Sequence, residues 1–192
     1  MSGNTSATGG FIGPDTSPAV LEDPQLTDLL QALVVGITGI AGTLVRPRWQ
    51  PTPPDQPAAS VDWCAIGVMR RTNEDGLSYM GHEPGDEETP ATDVMQRHQV
   101  LEVLASFYGP NAAALADRLV DGLMVGQNRE TLAANDAGLA DIDREILTTS
   151  ELVNARWIER QDATFRIRRQ RRRAYPVLNM ADAPFNLVGD PT

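Results

Sequence analysis

The stretch that decides the fold reads VLEVLASFY at residues 100–108. Its apolar side chains recur at every second position, which is the period of a β-strand with one face in a core. The Gly109-Pro110 pair that follows predicts the end of the strand. Weaker alternation extends back toward Asp93. We therefore predict a long strand over residues 93–108 with polar residues on its second face.

Other segments carry the periodicity of further strands and helices. Residues 61–72 and 157–177 predict two more long strands. Apolar spacings of three and four residues predict helices over 24–37 and 111–125, and a short helix over 129–134. Strands separated by helices and long connections favour an α/β chain of the α+β type, with a mainly antiparallel sheet and helices packed on one face.

The remaining segments predict less regular structure, and 139–153 is predicted to be a weak strand or a loop. A low apolar content predicts that 1–24 does not order by itself. Between these parts lies one predicted domain, over 25–181. The other irregular segments are an extended proline-rich arm at 46–60, an acidic loop at 73–93 that is either a hairpin tip or a mobile loop, and a carboxyl-terminal tail at 182–192.

Composition limits the classes of protein that need to be considered. The chain has 192 residues, a formal charge of −10 and one cysteine. No apolar run reaches membrane-spanning length and the first residues lack the pattern of a secretory signal, so we expect a soluble protein. Cys64 excludes an internal disulfide and is expected in the core. With only His82 and His98 beside it, a zinc site is not expected, and neither is a cofactor.

The sequence offers little support for catalysis. It lacks the phosphate-binding loop, the nucleophile elbow and the zinc-protease helix motif. The glycine-rich stretch 36–42 follows a helix instead of a strand, which argues against a phosphate site. One enzymatic alternative stays open, namely a metal-dependent DNA-processing enzyme that uses acids such as Asp62, Glu83 and Asp93.

All 16 basic residues are arginines, and half of them lie in residues 151–192. The predicted last strand contains six of them within eight positions: Arg166, Arg168, Arg169, Arg171, Arg172 and Arg173. Strand alternation would send these side chains to both faces. Three alternatives remain: pairing with acids of the same chain, pairing with acids of a neighbouring copy, or lining a passage for a phosphate backbone.

A second group of arginines lies with tryptophans at the two ends of the arm. Its members are Arg46, Arg48, Trp49 and Trp63. One interpretation is that the tryptophans anchor the arm on the domain. The other is that the arm and its base form a subunit contact, because Arg and Trp dominate interface hot spots.

Several motifs in order resemble the neck or tail-terminator proteins of tailed bacteriophages. The resemblance covers residues 28–181. Its motifs are VRPRWQP at 45–51, DWCAIG at 62–67, SFYGP at 106–110, DGL at 121–123, QNR at 127–129, NARW at 154–157 and RQD at 160–162.

The resemblance implies a structural virion protein that is not an enzyme. Such subunits form a ring, hexameric in the family, that caps the head-proximal end of the tail tube, stops its polymerisation and presents a surface to the head-tail connector. The implied partners are further copies, the tail tube protein, the connector or adaptor protein, and a sheath protein if the tail contracts. Genomic DNA passes through the ring without sequence-specific binding, and no membrane is involved.

The implied location is the virion neck, and the host bacterial cytoplasm during assembly. An alternative is another component of the virion neck, namely a head-completion or adaptor protein bound to the portal. The motif residues that we carry over as candidate interface residues, in addition to the arginine run, are Arg46, Arg48, Trp49, Trp63, Gln127, Asn128, Arg129, Trp157 and Arg160. We expect the arginine strand at subunit contacts and a neutral to acidic channel, because a basic channel would grip DNA.

Overall fold

A computed structural model describes residues 9–14, 23–52, 54–74, 79–85, 91–153 and 156–177. Most of the predicted amino-terminal tail and all of the predicted tail at 182–192 lie outside these residues. The described elements are α1 (Asp23–Thr38), β1 (Val45–Pro47), β2 (Trp63–Asn73), β3 (Tyr79–Glu83), β4 (Thr92–Tyr108), α2 (Ala112–Met124), α3 (Glu130–Ala133), β5 (Ala137–Val153) and β6 (Arg156–Pro176). Short 3-10 turns lie at Gly42–Leu44 and Gln127–Arg129.

The chain divides into two compact units. The larger unit draws its described residues from the ranges 19–76 and 97–171, and the smaller draws them from 1–18, 77–96 and 172–192. In the smaller unit, β3 pairs antiparallel with the start of β4, from Tyr79 opposite Gln96 to Glu83 opposite Thr92.

The larger unit holds a sheet in the order β1-β2-β4-β6-β5. β1 runs parallel to β2, whereas β2 and β4 pair antiparallel from Trp63 opposite Tyr108. β5 and β6 form a long antiparallel hairpin. The predicted α+β class with a mainly antiparallel sheet is therefore confirmed.

The hydrophobic core lies between one face of this sheet and the helices. The predicted alternation of β4 is confirmed, because Leu101, Val103, Ala105 and Phe107 are all fully buried. They pack in one cluster with apolar residues of the other strands and of all three helices: Cys64, Ile66, Phe165, Ile167, Leu30, Val34, Leu119, Leu123 and Leu132. α1 and α2 approach so closely that a Cβ at Gly122 would overlap the side chain of Ile37.

Two sequence predictions need correction, and the structure decides a third that was left open. The predicted acidic loop at 73–93 contains strand β3, whose partner in β4 lies only a short distance along the chain. Of the two alternatives left open for 139–153, strand or loop, the structure shows the strand, because these residues form most of the 17-residue strand β5. The predicted arm begins inside β1, since Pro47 still occupies a strand position. In each segment, pairing with a neighbouring strand outweighs poor local propensity.

The start of α2 is held by the carboxylate of Asp62, the residue directly before β2. Asp62 accepts hydrogen bonds from the backbone N–H of Asn111 at 2.9 Å and from its side-chain amide at 2.8 Å. Asn111 directly precedes the helix, and its own side chain makes no capping bond. Gly109 has a φ of +106°, and a Cβ there would lie 2.6 Å from the Asp62 carboxylate. Only glycine fits this turn.

Candidate assembly surface

The sheet face opposite the core is rich in charged and hydroxyl side chains, and we call it the polar face. It carries the residues of the larger unit that alternate with the core positions: Glu102, Ser106, Tyr108, Arg160, Asp162 and Arg166. Charged side chains that are removed from water need partners of opposite charge and hydrogen bonds to offset the loss of hydration. The contacts on this face provide those partners.

The base of the proline-rich arm sits at one end of the polar face. Trp63 stacks on Tyr108 with ring centroids 4.2 Å apart and an interplanar angle of 5°. The guanidinium carbon of Arg46 lies 5.9 Å from the Trp63 ring centre, which is within range of a cation–π contact. Arg46 also donates a 2.8 Å hydrogen bond to the backbone carbonyl of Asp55. Arg46 therefore ties the arm to the sheet.

The two tryptophans of this group have different environments. Trp63 is half-buried in its stack, whereas the side chain of Trp49 is 72% exposed. The interpretation of both tryptophans as anchors of the arm is thus correct for Trp63 and wrong for Trp49. Trp49 is one of the largest apolar surfaces that the described part of the chain presents to solvent.

A chain of hydrogen bonds crosses the polar face from the arm. The side chain of Arg48 passes over Gly67, where a Cβ would lie 3.0 Å from that of Arg48, and donates to the Ser106 hydroxyl. Ser106 in turn donates to Asp162. Because residue 67 is a glycine, the Arg48 side chain has room to cross β2 and reach Ser106. These hydrogen bonds join the arm to the two strands β4 and β6.

The chain continues from Asp162 to the β5–β6 hairpin. Arg160 contacts Asp162 at 2.9 Å and Glu151 at 3.3 Å. The Tyr108 hydroxyl donates to the same Glu151 carboxylate at 3.0 Å. Burial and the bond to Glu151 together raise the pKa of Tyr108. Burial alone would lower the pKa of Arg160, but its partners Tyr108 and Asp162 raise it, so the guanidinium stays charged.

A second cluster on the polar face surrounds Arg166. Its guanidinium contacts Glu102 at 3.1 Å, Asp141 at 3.2 Å and Asp143 at 2.7 Å. The hydrogen bonds to Asp143 and Glu102 raise the pKa of Arg166. Three strands contribute to this cluster, so Arg166 links β4 and β5 to β6.

The rest of the arginine run alternates as the sequence predicted. Arg168 pairs with Glu74, and in the smaller unit Arg172 pairs with Glu83. Arg169 points to the core side, is only 3% exposed and donates to the Gln99 side chain at 2.8 and 3.1 Å. Arg171 is also buried, and Arg173 is half-buried. The first of the three alternatives, pairing within the chain, is what the structure shows for Arg166, Arg168 and Arg172.

The other candidate residues lie apart from the polar face. Gln127, Asn128 and Arg129 form a turn after α2, where the Asn128 amide donates to the Gly122 carbonyl at 2.9 Å. Trp157 lies on the β5–β6 hairpin and is 73% exposed. The polar face thus brings together Arg46, Arg48, Trp63 and Arg160, with Arg166 and Arg168 along the same strand.

Sequence reasoning missed the residues that connect these arginines: Ser106, Tyr108, Glu151, Asp162 and Glu102. The signal for part of this set was the alternation of β4, which assigns Glu102, Ser106 and Tyr108 to one face. The cross-strand partners carried no such signal, because Ser106 and Asp162 are 56 positions apart in the sequence.

The groups that an enzyme would use have structural partners in this fold. Asp62 caps α2, Glu83 pairs with Arg172, and Asp93 contacts His82 at 2.8 Å. Within the described ranges, no cluster of three or more potential ligands could hold a metal ion. Cys64 is completely buried, which raises the pKa of its thiol.

The backbone of the glycine-rich stretch 36–42 accepts hydrogen bonds from side chains of α1 and α2. Arg118 donates to the Thr38 carbonyl at 2.9 Å, and Gln31 donates to the Gly42 carbonyl at 2.7 Å. Side chains therefore bind the carbonyls of this stretch. None of the helices in the described parts of the chain combines the length and hydropathy that crossing a membrane requires.

Comparison with known proteins gives the arrangement its context. A family model described as phage neck terminator protein matches residues 25–190. No curated protein matches the chain. Neck terminator proteins are structural components of the virion that interact with other neck and tail proteins. Because the matched region covers most of the chain, the protein belongs to the phage neck terminator family.

Proposed function

We propose that the protein forms a ring, a hexamer, that caps the head-proximal end of the tail tube, stops tube polymerisation and joins the tail to the head connector. The observation that carries this proposal is the family match over residues 25–190. The ring would contact the tube protein, the connector and, in a contractile tail, the sheath. Assembly would take place in the host cytoplasm and would require no catalysis by this chain.

The charge arrangement supports a passive role toward DNA. Three arginines of the run are bonded to carboxylates of their own chain, and the whole chain carries a formal charge of −10. A protein that binds DNA tightly presents unpaired cations to phosphates. We expect DNA to pass through the ring without being gripped, along a channel that is neutral to acidic.

The test is deletion of the gene in the phage that encodes the protein, followed by electron microscopy of the particles. We expect tails of uncontrolled length that do not join to heads. Supplying the intact protein from a plasmid should restore one tail length. Tails of normal length in the deletion strain would contradict the capping role.

A matched variant tests the enzymatic alternative. In Glu83→Gln, the ion pair with Arg172 is lost between two side chains that are each more than half exposed, so the fold should survive. We expect this variant to restore tail length as well as the intact protein does. Loss of complementation together with metal-dependent DNA cleavage by the purified protein would favour the enzyme.

Cross-linking in intact particles separates the cap from an adaptor on the portal. A cap should yield products with the tube protein, and an adaptor should yield products with the portal. Products with the portal alone would assign the chain to the adaptor role.

A further inference from the structure

The two edges of the sheet in the larger unit differ in how they are protected. At the β1 edge, Gln31 of α1 donates to the Val45 carbonyl at 2.8 Å and to Gly42 at 2.7 Å. Pro47, the last residue of β1, has no N–H to offer. A covering side chain and a proline are typical devices that prevent an edge from pairing with another chain.

β1 covers β2 at Cys64–Ile66, and beyond it β2 has a register shift between Val68 and Arg70 and exposes Arg70 and Arg71. Bulges and charges disfavour pairing, so this whole edge is protected.

The first half of the β5 edge is also protected. Register shifts against β6 occur between Leu139 and Asp141 and between Ile142 and Ile146. Charged side chains occupy most of this irregular stretch, with Asp141, Arg144 and Glu145 all exposed. Bulges and charges both disfavour pairing with another strand.

The second half of β5, residues 147–153, has neither device. It pairs with β6 in continuous register from Leu147 opposite Asp162 to Val153 opposite Arg156. Its sequence, LTTSELV, has one charge and no proline. In the part of the chain that the structure describes, β6 is the one strand that pairs with β5. A regular, weakly charged edge of this kind is a template for an added strand.

Two large apolar side chains of the hairpin are also exposed to solvent. Leu152 and Trp157 lie opposite each other in the hairpin and are 58% and 73% exposed.

The amino-terminal segment offers the matching chemistry. Phe11, in the sequence GGFIG at 9–13, is 98% exposed. Eleven residues lie between Phe11 and the start of α1 at Asp23, so a fully extended chain over this distance would span at most about 40 Å. That length exceeds the roughly 30 Å diameter of a small domain, so it allows contact with a second copy.

We infer that residues 147–153 of β5, with Leu152 and Trp157, receive the amino-terminal segment of a second copy as an added β-strand. Phe11 and Ile12 pack against the exposed hairpin pair, and backbone groups of the segment pair with the β5 edge. One open and one closed edge suit a head-to-tail contact, which is the kind that closes a ring. The inference rests on the proposed ring.

Disulfide trapping tests the contact directly, because Cys64 is completely buried and does not compete. Ile12→Cys protein is mixed with Ser150→Cys protein that carries a size tag, and the mixture is oxidised. We expect a mixed covalent dimer. The control pair is Ile12→Cys with Ala113→Cys, since Ala113 is exposed on α2. A dimer that forms equally with the control would overturn the inference.

A double variant separates contact between copies from contact within one chain. If the segment binds its own β5, protein with both Ile12→Cys and Ser150→Cys forms an internal disulfide and the mixture forms no dimer. That result would also overturn the inference.

Association measurements give the energetic counterpart. Phe11→Ser and Trp157→Ser should each weaken self-association by about 30-fold, the size of a hot-spot truncation. Met124→Ser is the matched control, because Met124 is 66% exposed and lies at the end of α2. Wild-type affinity in both hairpin and segment variants would contradict the contact.

The outcomes distinguish this inference from the proposed function. If rings form, but trapping gives no mixed dimer and the variants associate as the wild type does, the proposed ring is correct and this contact is wrong. If the isolated protein stays monomeric, the same cysteine pairs are oxidised in purified virions. Absence of the protein from the virion neck would refute the proposed function itself.

Discussion

Phe165 and Arg166 are neighbours in sequence, yet they belong to two faces of the sheet with different physics. Phe165 is 1% exposed in the apolar core, and its stability contribution depends on shape and on removal from water. Arg166 lies on the polar face among three carboxylates. The comparison shows that one strand can be buried on one side by apolar packing and ordered on the other by charge pairing.

The largest expected effect comes from opening a cavity on the core face. Phe165→Ala should lower the free energy of unfolding by about 3–5 kcal/mol, because the removed ring leaves a void that its neighbours fill only in part. Urea unfolding monitored by circular dichroism measures the change. Thr164→Ala, next to it on the polar face, is the control and should change stability far less. Equal losses would mean that the two faces are not distinct.

A smaller loss is expected when the polar face loses its central acid. Asp162 is 7% exposed and bonds both Ser106 and Arg160. Asp162→Ala leaves these donors without their acceptor, so the free energy of unfolding should fall by about 2–3 kcal/mol. Asp162→Asn keeps the shape and should lose less. If both variants were as stable as the wild type, the hydrogen-bond chain would contribute nothing.

Tyr108 provides a pH-dependent comparison. Its pKa in the folded chain lies above the ordinary value of 10.0, so folding favours the neutral hydroxyl. The stability that the hydroxyl contributes is therefore present below pH 10 and is lost as the pH rises through the folded pKa. Tyr108→Phe should cost about 1 kcal/mol at neutral pH. The difference between the proteins should shrink in thermal unfolding above pH 10, and a constant difference would contradict this.

The smallest effect is expected at the exposed tryptophan. Trp157→Ala should change the unfolding free energy of the dilute, unassociated protein by less than about 0.5 kcal/mol, because the side chain is 73% exposed. A loss comparable with that of Phe165→Ala would show that Trp157 belongs to the core of its own chain.

The faces differ in how far the sequence predicts them. The core face follows from periodicity, since Leu101 to Phe107 alternate in the sequence as they do in the fold. The polar face follows only in part, because its contacts join distant strands. Arg48 meets Ser106 across 58 positions and Arg166 meets Glu102 across 64. Such contacts depend on strand order and register, which local patterns do not encode.

The arginine run shows the same limit at single residues. Alternation predicted that its members would divide between two faces, but it did not predict that Arg169 would be buried against Gln99. The strand β3 was missed because its short sequence lies between acidic and proline-containing residues, and only pairing with β4 stabilises it.

Gly122 has no side chain, and this allows α2 to pack closely against Ile37 of α1. The residues allowed at positions 122 and 37 therefore depend on each other. Any enlargement at position 122 collides with Ile37, so substitutions there would be accepted only together with a smaller residue at 37. Relatives of this chain should therefore vary at these two positions in concert, and a designer who alters one helix must redesign the other.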